Sequence, residues 1–93
     1  MTTLPIIHMN GTSPERLFEQ YEAAYYKIGH AIDALGAVEF NQRDYYPGAP
    51  GLWTDAVKQH RAWVEGLNRA ENEIGEILLH LHEDIGKRKP RAS

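Results

Sequence analysis

The chain has 93 residues, 42% apolar and 25% charged, with ten Lys and Arg against thirteen Asp and Glu, which is the composition of one small globular domain. It contains no cysteine, which excludes disulfides, thiolate nucleophiles, zinc ribbons and cysteine-ligated iron–sulfur centres. Residues 1–86 hold six basic and thirteen acidic side chains, a charge of −7, and such a body is ill suited to a nucleic-acid duplex but leaves room for a small anion held by a few local groups.

Residues 1–9 include Leu4, Ile6, Ile7 and Met9, interrupted by Pro5, and read as an extended arm docked on the rest of the protein. Asn10, Gly11, Thr12, Ser13 and Pro14 form a helix start, with Ser13 as N-cap and Pro14 at the first helical position, or Thr12 as N-cap with Glu15 completing a capping box. Leu17, Tyr21, Ala24, Ile28, Ala31, Leu35 and Val38 then follow at spacings of four and three, which predicts a helix over 14–38, with Gly36 as an earlier alternative end. A second row at sevens, Phe18, Tyr25 and Ile32, widens the apolar face beyond what one neighbour uses.

Residues 39–51 carry two prolines and two glycines and predict a loop of fixed shape. Beyond it Trp53, Val57, His60, Val64, Leu67, Glu71, Ile74, Leu78, Leu81 and Ile85 resume the four–three alternation, beside Ala56, Trp63, Ala70 and Ile77 at sevens. A second helix over 52–86 is expected, ended by Gly86, with 87–93 as a flexible basic tail whose charge suits the negative end of the helix. The apolar runs Leu4 to Ile7 and Ile77 to Leu79 fall far short of the ~20 residues that span a bilayer, and the start lacks the pattern of a secretory leader, so a cytoplasmic protein is expected.

The pattern predicts an all-α antiparallel hairpin of helices roughly 35 and 50 Å long. The carboxyl half of the longer helix is expected to overhang, leaving Ile74, Ile77, Leu78, Leu81 and Ile85 to be covered in part by the arm. Two helices enclose little volume, so a homo-oligomeric, multi-helix bundle is expected, trimer-based rather than dimeric.

Three constellations bear on chemistry. His8 to Ser13 offers free amides and hydroxyls at a helix start for a phosphate or carboxylate, or simply caps the helix. Without the lysine it is not a P-loop. Arg43, Asp44, Tyr45, Tyr46 and Pro47 combine two rings able to sandwich a base with a guanidinium able to fork onto phosphate. The alternative is that one tyrosine plugs the end of the hairpin while Asp44 pairs with Arg43 or caps a turn. His60 and Glu71 stand in the seam as polar residues that fix register or partner number. His80 and His82 are two apart, on different faces of one helix, unlike a helical zinc pair. No spacing suggests a metal site, a catalytic relay or a di-iron bundle.

Ile7-His8-Met9-Asn10-Gly11-Thr12-Ser13, Tyr21 and Ala24, Arg43-Asp44-Tyr45-Tyr46-Pro47, and His60-Arg61 on a long helix resemble a family of small phage and prophage proteins. In that family a histidine-x-asparagine-glycine-threonine-serine start and an arginine-aspartate-tyrosine-tyrosine-proline loop recur. The resemblance covers residues 6–85. It departs at Met9, where leucine is expected, and before Arg43, where an asparagine-glycine is missing; neither change removes a polar group of interest. In size and architecture the chain is also similar to the helical-hairpin sponges that phages use against bacterial immune signalling, the anti-CBASS and anti-Thoeris proteins. Fold-level analogy is associational. It implies a non-enzymatic anti-defence protein without a cofactor, acting in the cytoplasm of an infected or lysogenic bacterium. Such a protein would sequester a nucleotide immune signal, a cyclic oligonucleotide or cyclic ADP-ribose derivative, without cleaving it. The ligand-binding residues expected on this reading are Asn10, Gly11, Thr12 and Ser13 as hydrogen-bonding groups, Tyr45 and Tyr46 as stacking rings, and Arg43, Arg61 and Arg69 on phosphates. The alternative is a structural or adaptor module that binds a protein partner.

Overall fold

Ser13 sets the start of the first helix, α1 (Pro14–Gly36): its backbone is extended and its Oγ accepts the Arg16 N–H at 3.2 Å. This satisfies one of the four amides that a helix start leaves without partners. The structure, a computed structural model, describes residues 2–6, 11–45 and 48–88. Among these it is all helical, with α1 joined through a short 3-10 turn (Gln42–Asp44) to α2 (Leu52–Arg88).

α1 stops at Gly36, two residues before the outer limit that the apolar spacing allows, and the Ala37 N–H closes it onto the Asp33 and Ala34 carbonyls at 3.1 and 3.2 Å. α2 begins after Gly51, whose φ of +89° belongs to the left-handed region that only glycine enters freely. Its far end corrects the expectation that Gly86 stops the helix. Gly51 is the one described glycine with positive φ, so Gly86 forms no left-handed cap, and α2 continues to Arg88.

The register of the hairpin also corrects the expected overhang. The Phe18 and His82 ring centroids are 6.5 Å apart. A Cβ built on Gly75 would stand 3.6 Å from the Tyr25 ring, and one on Gly29 3.3 Å from the Glu71 carboxylate. Each pair is antiparallel at the same register, so the start of α1 lies level with the end of α2. The part of α2 that extends past its partner is the amino-terminal one. The connection, instead of turning tightly, folds back along the first turns of α2 and covers them with Phe40 and Tyr45.

The amino-terminal segment 2–6 carries no regular secondary structure and is docked, as expected: His80 Nε2 lies 2.9 Å from the Pro5 carbonyl oxygen. His80 thus faces the arm and His82 faces α1, and Leu81 between them is wholly shut off from solvent. Ile77 and Ala56 are the other described apolar side chains that count as buried within the helices, apart from Pro14. The molecule is a rod of 70 × 22 × 19 Å with a radius of gyration of 19.8 Å, where a compact chain of this length has about 12 Å. Its surface is 7605 Å², about 2,000 Å² more than a folded monomer of this mass exposes. No described helix is long and apolar enough to cross a membrane.

Candidate functional site

Along α2 the row Val57, Val64, Glu71 and Leu78 recurs every seven residues, which places all four on one face. Two grooves open along this face where it meets α1. The first, of about 460 Å³, lies between Phe18 and Tyr25 on α1 and Gly75, Leu78, Leu79 and His82 on α2, with Glu71, Asn72 and Glu76 at its rim. The second, of about 350 Å³, lies between Leu35, Val38 and Phe40 on one side and Val57, His60, Arg61 and Val64 on the other. Phe18 and Tyr25, two of the three members of the second row of α1, thus line a groove.

The second groove belongs to an aromatic run that binds the connection to α2. Tyr45 meets Trp53 at 5.8 Å between centroids, Trp53 meets Phe40 at 5.3 Å, and His60 meets Trp63 at 5.1 Å. Phe40 and His60 are stacked, 3.7 Å apart and 8° from parallel. With one face of the imidazole covered, His60 offers its ring nitrogens at the edge. Arg61 follows it on the groove wall, its side chain exposed. Trp63 is 52% exposed and keeps a ring surface open to solvent. A flat aromatic surface beside a guanidinium suits a planar, anionic ligand.

The connection is held by its own polar groups. Asn41 Oδ1 accepts the Arg43 N–H at 3.0 Å and Asp44 Oδ2 accepts the Asn41 N–H at 3.1 Å, a reciprocal capping box around the 3-10 turn. Asp44 thus caps a turn, as one of its two readings had it. Tyr45 is half-buried against Trp53, in the manner of a plug. Arg43 is exposed one turn away.

The candidate ligand residues do not form one cluster within one chain. Arg43, Tyr45 and Arg61 lie at the connection end. Gly11, Thr12 and Ser13 are exposed at the start of α1, which the register puts level with the end of α2, about 50 Å along the axis from Trp53. Ser13 spends its hydroxyl oxygen on the helix cap. Arg69 is exposed on α2, eight residues past Arg61 and about 12 Å along the axis. Asn10 and Tyr46 lie outside the described residues.

Phe40, Trp53 and Trp63 were not among the candidates, and the sequence held only a partial signal for them. Trp53 and His60 stand seven apart, but nothing in the spacing shows that Phe40 folds back between them. Among the described residues no group of three or more His, Asp and Glu side chains gathers as a metal site. Compared with protein-family models, curated proteins and solved structures, the chain matches none.

Proposed function

We propose that this chain is a non-catalytic phage anti-defence protein that binds a nucleotide immune signal, a cyclic oligonucleotide or cyclic ADP-ribose derivative, and sequesters it intact between copies of itself in the host cytoplasm. The observation that carries this reading is the second groove, where Arg61 stands beside the Phe40–His60 stack with Trp63 next to it. Arg61 takes a phosphate, the rings at this end supply stacking surface, and Arg43 adds a second cation. Tyr45 anchors the connection through Trp53 and contributes its exposed edge; Tyr46 stands beside it in sequence. The resemblance of the Asn10-Gly11-Thr12-Ser13 and Arg43-Asp44-Tyr45-Tyr46 segments to the phage family supports the same reading.

The distances support assembly on this reading. The α1 start lies too far from Arg61 to meet the same ligand in one chain, so its amides contribute only across copies. The large exposed surface of the single hairpin supports a bundle of several copies, for which a trimer-based arrangement was the sequence expectation.

The test is calorimetry of the purified protein with cyclic dinucleotides, cyclic trinucleotides and cyclic ADP-ribose isomers, followed by heat release and mass analysis. Tight binding, lost in Arg61→Gln, with the ligand recovered at its original mass, is the expected result. No binding to any of these, or a product of changed mass in excess over protein, overturns it. A second reading, an adaptor for a protein partner, is favoured by the apolar first groove with Leu79 66% exposed at its edge.

A further inference from the structure

The first groove changes character along its length. On α2 its lining runs from Glu71 and Asn72, past Gly75, to Leu78, Leu79 and His82, eleven residues or about 16 Å. The polar groups gather toward one end, and the apolar wall leads toward the other, where the Phe18 ring stands 6.5 Å from that of His82. Its volume of about 460 Å³ falls within the range of about 300–1,000 Å³ usual for small-molecule sites.

Two glycines shape the polar half. A Cβ on Gly29 would stand 3.3 Å from Glu71 Oε2, so the bare backbone gives that carboxylate a close seat against α1. A Cβ on Gly75 would stand 3.6 Å from the Tyr25 ring, so its absence leaves the ring open to the groove. Glu71 is half-buried in the seam, and neither it nor Glu76 has an ion-pair or hydrogen-bond partner among the described residues. On α2 the positions three and four residues to either side of both hold no lysine or arginine, and none lines the groove.

A carboxylate drawn partly out of water without a counter-charge gains from a ligand that brings one, and an open aromatic ring attracts the same charge. The apolar wall beyond calls for a hydrocarbon body rather than a bare ion. A metal ion fits poorly, because among the described residues no group of three or more His, Asp and Glu side chains gathers.

We propose that the first groove binds a small amphiphilic organic cation, an alkyl- or arylammonium, with its ammonium between Glu71 and the Tyr25 ring and its hydrocarbon body laid over Gly75 along Leu78 and Leu79 toward Phe18. The site is distinct from the Arg61 groove and does not rest on the nucleotide reading; its carboxylates repel a phosphate.

The test compares three probes that share one body and differ in the head, n-octylammonium, n-octanol and n-octyl sulfate, titrated below their micellar concentrations into the purified chain by calorimetry. Octylammonium is expected to bind about tenfold or more tighter than octanol, and octyl sulfate most weakly. Glu71→Gln, which keeps the shape of the side chain, should bring octylammonium to within about threefold of octanol and leave octanol unchanged; a purely structural role of Glu71 would move both. Gly75→Ala sets a methyl group into the groove at ordinary contact distance from Tyr25. It should weaken octylammonium and octanol together while the melting temperature holds or rises, as alanine favours the helix, and it decides independently where Glu71→Gln perturbs the hairpin. Arg61→Gln, in the other groove, should change none of the three affinities.

Equal affinity for the three heads, preference for the sulfate, or discrimination that survives in Glu71→Gln overturns the proposal. So does loss of octylammonium binding in Arg61→Gln, which would put the cation elsewhere. No binding of octylammonium also overturns it, and leaves this groove to a protein partner. Because the nucleotide titrations use the other groove, failure of the cation site leaves the nucleotide reading standing, and failure of nucleotide binding leaves the cation site standing.

Discussion

The imidazole of His60 lies flat on the ring of Phe40, 3.7 Å between centroids and 8° between planes, and this contact fastens the connection to the helix that follows it. It joins residues twenty positions apart, and through Trp53 and Tyr45 it extends to the 3-10 turn. Phe40→Ala is expected to cost about 1–3 kcal/mol through lost apolar area and lost stacking. His60→Phe, which keeps a flat ring in place, should cost less. Urea denaturation of the two variants followed by helix signal checks the order; equal midpoints for Phe40→Ala and the parent would show that the stack holds nothing.

Ser13 makes a second, independent claim. Because its Oγ accepts the Arg16 N–H, Ser13→Ala should lower stability by about 1 kcal/mol, and Ser13→Asp should keep most of it by accepting the same bond near the positive end of the helix. Thermal melting distinguishes them. A Ser13→Asp protein as unstable as Ser13→Ala would mean that the cap contributes little.

The arm depends on His80. Its Nε2 bonds to the Pro5 carbonyl in a half-buried setting, so His80→Leu loses one hydrogen bond and leaves a carbonyl poorly satisfied, at a cost of about 1–2 kcal/mol. Cleavage of the arm in limited proteolysis should accelerate, while α1 and α2 stay intact. Unchanged cleavage would mean that the apolar residues of the arm hold it without His80.

How much of this was legible in sequence divides along the range of the interactions. The helices, the Ser13–Pro14 start and the docked arm follow from spacing and capping chemistry, which are local. The end of α1 was open between Gly36 and Val38, a difference that apolar periodicity does not resolve because Val38 sits at a seam position outside the helix. The overhang was misassigned because register depends on where the connection lies, and residues 39–51 carry no signal that they fold back along α2. For the same reason the sequence leaves Tyr45 open between stacking on a ligand and plugging the hairpin, and does not show that Trp53 lies against it. Arg61 was named as a phosphate ligand, but its groove depends on Phe40, which only the fold brings near.

Two glycines in and beside α2 should respond in opposite directions. Gly51 has φ +89°, a conformation costing an alanine about 1–2 kcal/mol, and its carbonyl accepts the Asp55 N–H at 2.9 Å. Gly66 is exposed in the helix interior with nothing within 4 Å of a Cβ, so Gly66→Ala should gain up to ~1 kcal/mol. Denaturation midpoints that move the same way in both variants would contradict the assigned backbone.

Tyr45 and Arg61 separate structural support from ligand contact at one end of the rod. Tyr45 is half-buried and its ring meets Trp53, so Tyr45→Ala should cost about 1–2 kcal/mol of stability by removing apolar area and an aromatic contact. Arg61 is exposed, and Arg61→Gln should leave stability within about 0.5 kcal/mol, as surface substitutions ordinarily do. For a nucleotide ligand the order reverses. Losing a guanidinium that forks onto a phosphate should weaken binding by about 1.5–3 kcal/mol, whereas Tyr45→Ala should weaken it mainly as far as the connection loosens. Thermal melting paired with calorimetry of both variants resolves the roles. If Tyr45→Ala abolishes binding with its melting point unchanged, its ring stacks on the ligand rather than on Trp53, and the connection must open to admit it. If Arg61→Gln binds as tightly as the parent, the second groove is not where the phosphate sits.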